Sequence, residues 1–172
     1  MKIKAIIPVR LNSSRVSKKV LLPFGPNKDS LLLWKINQLK KVLNKEDIIV
    51  SSESTELINI AKENNISFHL RDPYLSDAHK ASFSEVITGI ISEIDAEHIA
   101  WITVVCPLMN SENYKESFDA YNKIIRKKQY DSLVGVNLLK EYLWNDNGPI
   151  NYEANRNHII SQELPNIYKV TN

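Results

Sequence analysis

The sequence predicts an α/β fold: a mostly parallel sheet flanked by helices, with an irregular or β-rich excursion at its C-terminal end. Three observations predict it. Apolar runs of strand length alternate with segments of helical period through the first 137 residues, the pattern of a parallel sheet joined by crossover helices. A polar, cationic loop follows the first apolar run at once. From Leu138 to Asn172 the helical period disappears, and Asn147-Gly148-Pro149 marks a turn.

The elements follow in order. Ile3 to Val9 reads as a buried first strand. Leu31, Leu32, Trp34, Ile36, Leu39, Val42 and Leu43 recur at helical spacing behind Asp29 or Ser30 as the cap. Asp47 to Ser51 is a second strand, Thr55 to Glu63 a helix, and Ile66 to Leu70 a third strand. Ser82 with Glu85 three residues later forms a capping box and opens a helix to about Ile94. Ile99 to Val105 is a β-branched fourth strand, Ser111 starts a helix to about Lys127, and Ser132 to Val136 is a fifth strand. The expected division is an α/β domain over 1–137 and an excursion of the same domain over 138–172.

Composition narrows the function. A chain of 172 residues, 43% hydrophobic and 24% charged, can bury a core. A formal charge of +2 argues against a non-specific nucleic-acid partner, which calls for a larger basic excess. No apolar run has the length of a membrane span. The single cysteine, Cys106, permits no intrachain disulfide, so a reducing, cytoplasmic location is expected. The four histidines show no paired metal spacing, and Cys106 reads as packing at a strand end. Four glycines, Gly25, Gly89, Gly135 and Gly148, are too few and too scattered for the dinucleotide fingerprint or the Walker loop.

The chemistry concentrates in residues 8–19, Pro-Val-Arg-Leu-Asn-Ser-Ser-Arg-Val-Ser-Lys-Lys. Arg10, Arg15, Lys18 and Lys19 follow the first strand directly, and open α/β sheets bind ligands beyond the carboxyl ends of their strands. Arginine offers phosphate a planar fork and lysine a mobile charge. Each charge-assisted bond contributes about 1.5–3 kcal/mol. A phosphate-bearing ligand is the expected partner; a solvated basic loop is the plain alternative.

These residues resemble a known family. Ile7-Pro8-Val9-Arg10, Ser13-Ser14-Arg15, Lys19 and Leu21-Leu22-Pro23 are similar to the nucleotide loop of the cytidylyltransferases that activate acidic sugars. Arg71 to Asp77 with Ser82, and Cys106-Pro107-Leu108, resemble further segments of that family, and the tail segments around Trp144, Tyr152 and Ser161 to Tyr168 resemble its acylneuraminate branch. The resemblance implies a Rossmann-like sheet of the nucleotide-diphospho-sugar transferase type. It implies transfer of CMP from CTP to a nonulosonic, sialic-acid-like keto sugar acid with release of pyrophosphate, Mg²⁺ as cofactor, and a homodimer.

By the same resemblance Arg10 and Lys19 are catalytic and hold the phosphates. Asn12, Ser13 and Arg15 support them, and Arg71 and Ser82 contact ribose or base. Thr103, Tyr152 and Gln162 face the sugar. Ser82 has an independent reason to exist as a helix cap. Thr103 stands where the family has a glutamine, Val105 where a relative has a metal-binding aspartate, and Ile160 where the family has an arginine. The family also implies a further strand and metal-binding aspartates past Asn172. Two other readings therefore stay open: a catalytically incompetent nucleotide-binding or assembly module, and a related nucleotidyltransferase for another sugar or nucleotide.

Overall fold

The computed structural model describes residues 2–13, 16–77, 79–155 and 158–170. The chain divides into two compact units, Met1–Gln129 and Tyr130–Asn172. The first holds β1 (Ile3–Pro8), the short pair β2 (Pro23–Phe24) and β3 (Asp29–Ser30), and α1 (Leu31–Leu39). It continues with β4 (Ile48–Ser52), α2 (Thr55–Glu63), β5 (Ser67–Leu70), α3 (Phe83–Ser92), β6 (His98–Trp101) and α4 (Ser111–Arg126). The second holds β7 (Val136–Leu139), β8 (Trp144–Asn145), β9 (Gly148–Pro149) and β10 (Ile167–Val170). Among the described residues no helix is long and apolar enough to cross a membrane.

Four strands form the central sheet in the order β5-β4-β1-β6, all parallel. From β1 the chain moves outward through β4 and β5, then returns to place β6 on the other side of β1. This reversal opens the carboxyl ends of the strands to a ligand. The central strands are apolar on both faces because both are covered. Ala5 and Ile7 of β1 and Ile48 and Val50 of β4 share a buried cluster with Leu32, Ile36 and Leu39 of α1 and Leu57 and Ala61 of α2. Each of its Ile, Val and Leu side chains contributes roughly 1.5–3 kcal/mol through burial, the alanines less. Ile6 and Ile49, one residue along, point the other way and are buried as well.

The helix starts follow local chemistry. Ser30 accepts the Leu33 N–H at 3.1 Å and caps α1. Ser82 and Glu85 form the expected capping box on α3. Helix α4 starts at Ser111, as expected, and is capped by Asn110 in a reciprocal pair with Asn113.

Three expectations are corrected. The helix expected through Leu43 ends at Leu39, and the following turns keep Val42 and Leu43 packed on the core. The fourth strand, expected to reach Val105, ends at Trp101. Its last rung runs from Ile102 N–H to Ile6 O at 2.9 Å. The next would need an N–H from Pro8, which has none. The expected fifth strand, Ser132 to Val136, does not extend the parallel sheet. The strand lies at Val136–Leu139 and pairs antiparallel with Ile167–Val170 in the second unit. A short apolar run announces a strand without announcing its partner.

The hairpin of β2 and β3 turns at Gly25, whose positive φ of 71° and a Trp34 ring carbon 2.7 Å from any added Cβ both require glycine. Beneath it, Lys35 of α1 is fully buried. Its amine meets Cys106 O at 2.8 Å, Met109 O at 3.3 Å and the Tyr114 hydroxyl at 2.9 Å. Burial lowers the Lys35 pKa from 10.5 to about 8, against a raising influence from Cys106. Between those values the unfolded chain binds the extra proton, so stability rises with pH across that window. The contribution is on the order of 3 kcal/mol. Denaturation of wild type and Lys35→Met from pH 7.5 to 10.5 checks it, these pH values being set about the window. The stability difference should shift in favour of wild type as pH climbs; a difference flat with pH contradicts the assignment.

Candidate functional site

Three loops converge at the carboxyl ends of β1, β4 and β5, and one ion pair joins them. Arg71, directly after β5, is 4% exposed. Its Nη2 donates to Val9 O at 2.9 Å and to Glu53 Oε2 at 3.2 Å, and its Nε donates to Ser76 Oγ at 2.8 Å. Glu53, directly after β4, also accepts the Ser76 hydroxyl at 2.8 Å and, on its other oxygen, the Leu11 N–H at 3.2 Å. The carbonyl of Val9 and the amide of Leu11, on either side of Arg10, are therefore both fixed.

Local sequence explains how Ser76 arrives there. Asp72 accepts the Tyr74 N–H at 2.7 Å and Pro73 opens a short 3-10 turn. Asp and Pro favour such a start. The turn carries Ser76 back over the Arg71 guanidinium. Burial pushes the Glu53 carboxyl up, but its own backbone N–H, the Ser76 hydroxyl, Leu11 and Arg71 outweigh that and leave it below the usual carboxylate range. Burial lowers Arg71 against the raising influence of Glu53; a guanidinium stays charged regardless.

Above this pair lies a cavity of about 420 Å³, lined by Arg10, Asn12, Ser13, Glu53, Pro73, Ser76, Asp77 and His79. Arg10 donates to Ser76 O at 3.3 Å, which lays its guanidinium along the wall. Asp77 accepts the His79 N–H at 3.0 Å. A larger cavity of about 740 Å³ lies at the amino-terminal ends of β1 and β4, bounded by Lys2, Lys40, Lys41 and Asp47 among others. We place the site at the smaller one, because parallel sheets present ligands at the carboxyl ends and Asp47 is already paired with Lys2 at 3.1 Å.

The structure brings Arg10, Asn12 and Ser13 together in this cavity. Arg15 lies outside the described residues. Lys19 begins a half-buried 3-10 turn, Lys19–Leu21, and is not among the lining residues. Arg71 lies below the cavity rather than in its lining, its donors turned to the protein. Ser82 accepts the Glu85 N–H at 3.2 Å as the cap of α3. Thr103 follows β6, its hydroxyl 3.9 Å from the Cys106 sulfur. Tyr152 and Gln162 belong to the second unit. There Tyr152 packs edge-on to Tyr142 at 5.0 Å and its hydroxyl accepts the Trp144 indole N–H at 2.6 Å, while Gln162 is exposed.

Sequence reasoning missed Glu53 and His79. Glu53 carried a signal: it follows Ser51-Ser52 at the end of an apolar strand, where open α/β sheets gather functional groups. His79 carried none, being one histidine in a polar loop. Among the described residues no three of His, Cys, Asp or Glu are grouped to hold a metal ion, and both Glu53 oxygens are engaged.

Glu53→Gln keeps the shape and removes the charge opposite Arg71. The expected loss is about 3 kcal/mol, a fall in Tm of roughly 5–10 °C. Because the folded Glu53 pKa lies below the unfolded one, its contribution is full above the unfolded value and fades as pH falls through the folded one. The Tm gap between wild type and variant should therefore narrow in acid. A gap absent at neutral pH contradicts the structural role of the pair.

Comparison with known proteins follows the geometry. A family model described as Cytidylyltransferase matches residues 4–158. A search of curated proteins returned no significant match. Among solved structures, a cytidylyltransferase from Leptospira borgpetersenii serovar Hardjo-bovis is 24% identical, with a TM-score of 0.55 over 72% of this chain and 50% of its own. A CMP:2-keto-3-deoxy-manno-octonic acid synthetase complexed with CTP is 12% identical, with a TM-score of 0.55 over 72% and 48%. The bifunctional IspDF from Campylobacter jejuni is 19% identical, with a TM-score of 0.64 over 100% and 40%. The chain thus spans about half the length of the first two. These likenesses agree on the parallel nucleotidyltransferase fold, and the family match covers most of the sequence: the chain belongs to the cytidylyltransferase family.

Proposed function

We propose that this chain binds CTP with its triphosphate against the loop after β1 and transfers CMP to a sialic-acid-like keto sugar acid. The observation that carries the reading is the cavity itself. Arg10, Asn12 and Ser13 converge in it at the end of β1, with the backbone on both sides of Arg10 fixed by Glu53 and Arg71. Family membership supports CTP as the nucleotide. Lys19, Arg15 and Ser82 are assigned by resemblance to the same nucleotide, and Arg71 acts through the loop it fixes. Thr103, Tyr152 and Gln162 are assigned to the sugar acid, and the dimer remains part of the proposal.

In the reaction the acceptor hydroxyl oxygen forms a bond to the α-phosphorus. The bond from that phosphorus to the oxygen bridging the β-phosphorus breaks, and pyrophosphate leaves with the electron pair. The hydroxyl proton passes to solvent. Such a step depends on positioning and on neutralising the phosphate charge, and Arg10 offers a planar donor fork for it. Mg²⁺ fits this account only as an ion carried by the nucleotide phosphates and water, as it tolerates.

A second acceptor class has support. The IspDF structure and a 4-diphosphocytidyl-2C-methyl-D-erythritol synthase from Anaerococcus prevotii match 100% and 99% of this chain, with TM-scores of 0.64 and 0.61. The sugar-acid synthetase matches 72%. A methylerythritol-type acceptor therefore belongs in the panel.

CTP with Mg²⁺ should raise Tm more than ATP or GTP do, since ligand bound to the folded state stabilises it. Pyrophosphate should appear only when a keto sugar acid is added. Equal shifts with every nucleotide contradict cytidine selection. Release with methylerythritol phosphate instead selects the second class, and CTP binding with no turnover selects a binding module.

A further inference from the structure

The turn after β6 has no ladder of its own, yet it is held from one side by three polar side chains of α1. Trp34 Nε1 and Gln38 Nε2 both donate to Pro107 O, at 2.9 and 3.0 Å. Lys35 donates to the carbonyls of Cys106 and Met109 and meets the Tyr114 hydroxyl, with its nitrogen 4.9 Å from the Tyr114 ring centre. A buried amine costs desolvation that a methionine of similar length would not. Core packing alone therefore does not account for a lysine here. What the lysine adds is a pair of bonds to two carbonyls three residues apart, which fix the curvature of the turn. The titratable groups facing it are Cys106 on the turn and Tyr114 on α4.

We propose that Lys35 is a positioning residue: through its amine α1 sets the Cys106–Asn110 turn and, with it, Thr103 just beyond β6. Thr103 is coupled to the turn through its hydroxyl contact with the Cys106 sulfur. Leu108, 85% exposed at the apex, and Val105, 44% exposed, are displayed by the same backbone. With Thr103 assigned to the acceptor under the proposed function, the turn would offer Thr103, Val105 and Leu108 as one preset unit. The acceptor part rests on the nucleotidyl-transfer reading; the holding of the turn does not.

The chain has one cysteine, and it lies in this turn, so thiol labelling by Ellman's reagent reports the turn directly. Lys35→Met should label about ten-fold faster than wild type, and Tyr114→Phe, which removes one partner, by a smaller factor. For the acceptor the wild type turns over, from a panel of N-acetylneuraminate, 3-deoxy-manno-octulosonate and methylerythritol phosphate, KM should rise about ten-fold in Lys35→Met. CTP affinity should stay within roughly two-fold. Unchanged labelling overturns the holding of the turn. CTP and acceptor constants moving together overturn the positioning role, because a general loss of structure moves both. If Lys35→Met does not fold, the same two readouts on Tyr114→Phe decide. A wild type that turns over no acceptor defeats the nucleotidyl-transfer reading and the acceptor part with it, before any variant is made, while labelling still decides the turn.

Discussion

Arg71 carries a positive charge 4% exposed to solvent, and a buried guanidinium is tolerable only where acceptors replace the water it has lost. Val9 O, Glu53 and Ser76 are those acceptors, and each comes from a different loop. The requirement to solvate one cation therefore ties together the ends of β1, β4 and β5. Glu53 extends the tie by accepting the Leu11 N–H, so Arg10 sits between two anchored peptide groups. The described start of this loop, residues 9–13, has no glycine and is anchored at Val9 and Leu11 by the ion pair beneath it.

The same logic recurs on the other side of β1. Lys35 is a buried cation compensated by carbonyls of a turn that lacks regular structure. In both places a charge inside the molecule organises irregular backbone outside the sheet. The sheet supplies the frame, with apolar side chains of β1 and β4 packed between layers. The two cations set the loops that frame displays. Buried ion pairs add little net stability compared with apolar packing, which agrees with their placement under candidate binding loops rather than in the sheet's centre.

Much of this was legible in the sequence. Alternating strand and helix patterns announced β1, β4, β5 and β6 with their helices, and Ser82 with Glu85 announced a real capping box. The loop of Arg10, Asn12 and Ser13 was legible because cations and small polar groups directly follow an apolar strand. What stayed hidden depended on partners distant in sequence. Glu53 and Arg71 are 18 residues apart, and Lys35 meets Cys106 across 71; no local period records either contact. The partner of β7 was hidden for the same reason, and the early end of β6 turned on a missing N–H in its neighbour, Pro8. Arg71 was visible as an important residue, but its burial was not, and burial turns its donors to Val9, Glu53 and Ser76.

The central claim is that the loop after β1 is a cradle for polyphosphate. Calorimetric titration of cytidine, CMP and CTP into the same protein tests it most directly. The account predicts affinity climbing with each added phosphate, by about ten-fold or more from CMP to CTP, given the strength of charge-assisted bonds. Cytidine binding as tightly as CTP would contradict it, because recognition would then rest on the nucleoside and the cations after β1 would have no phosphate to hold.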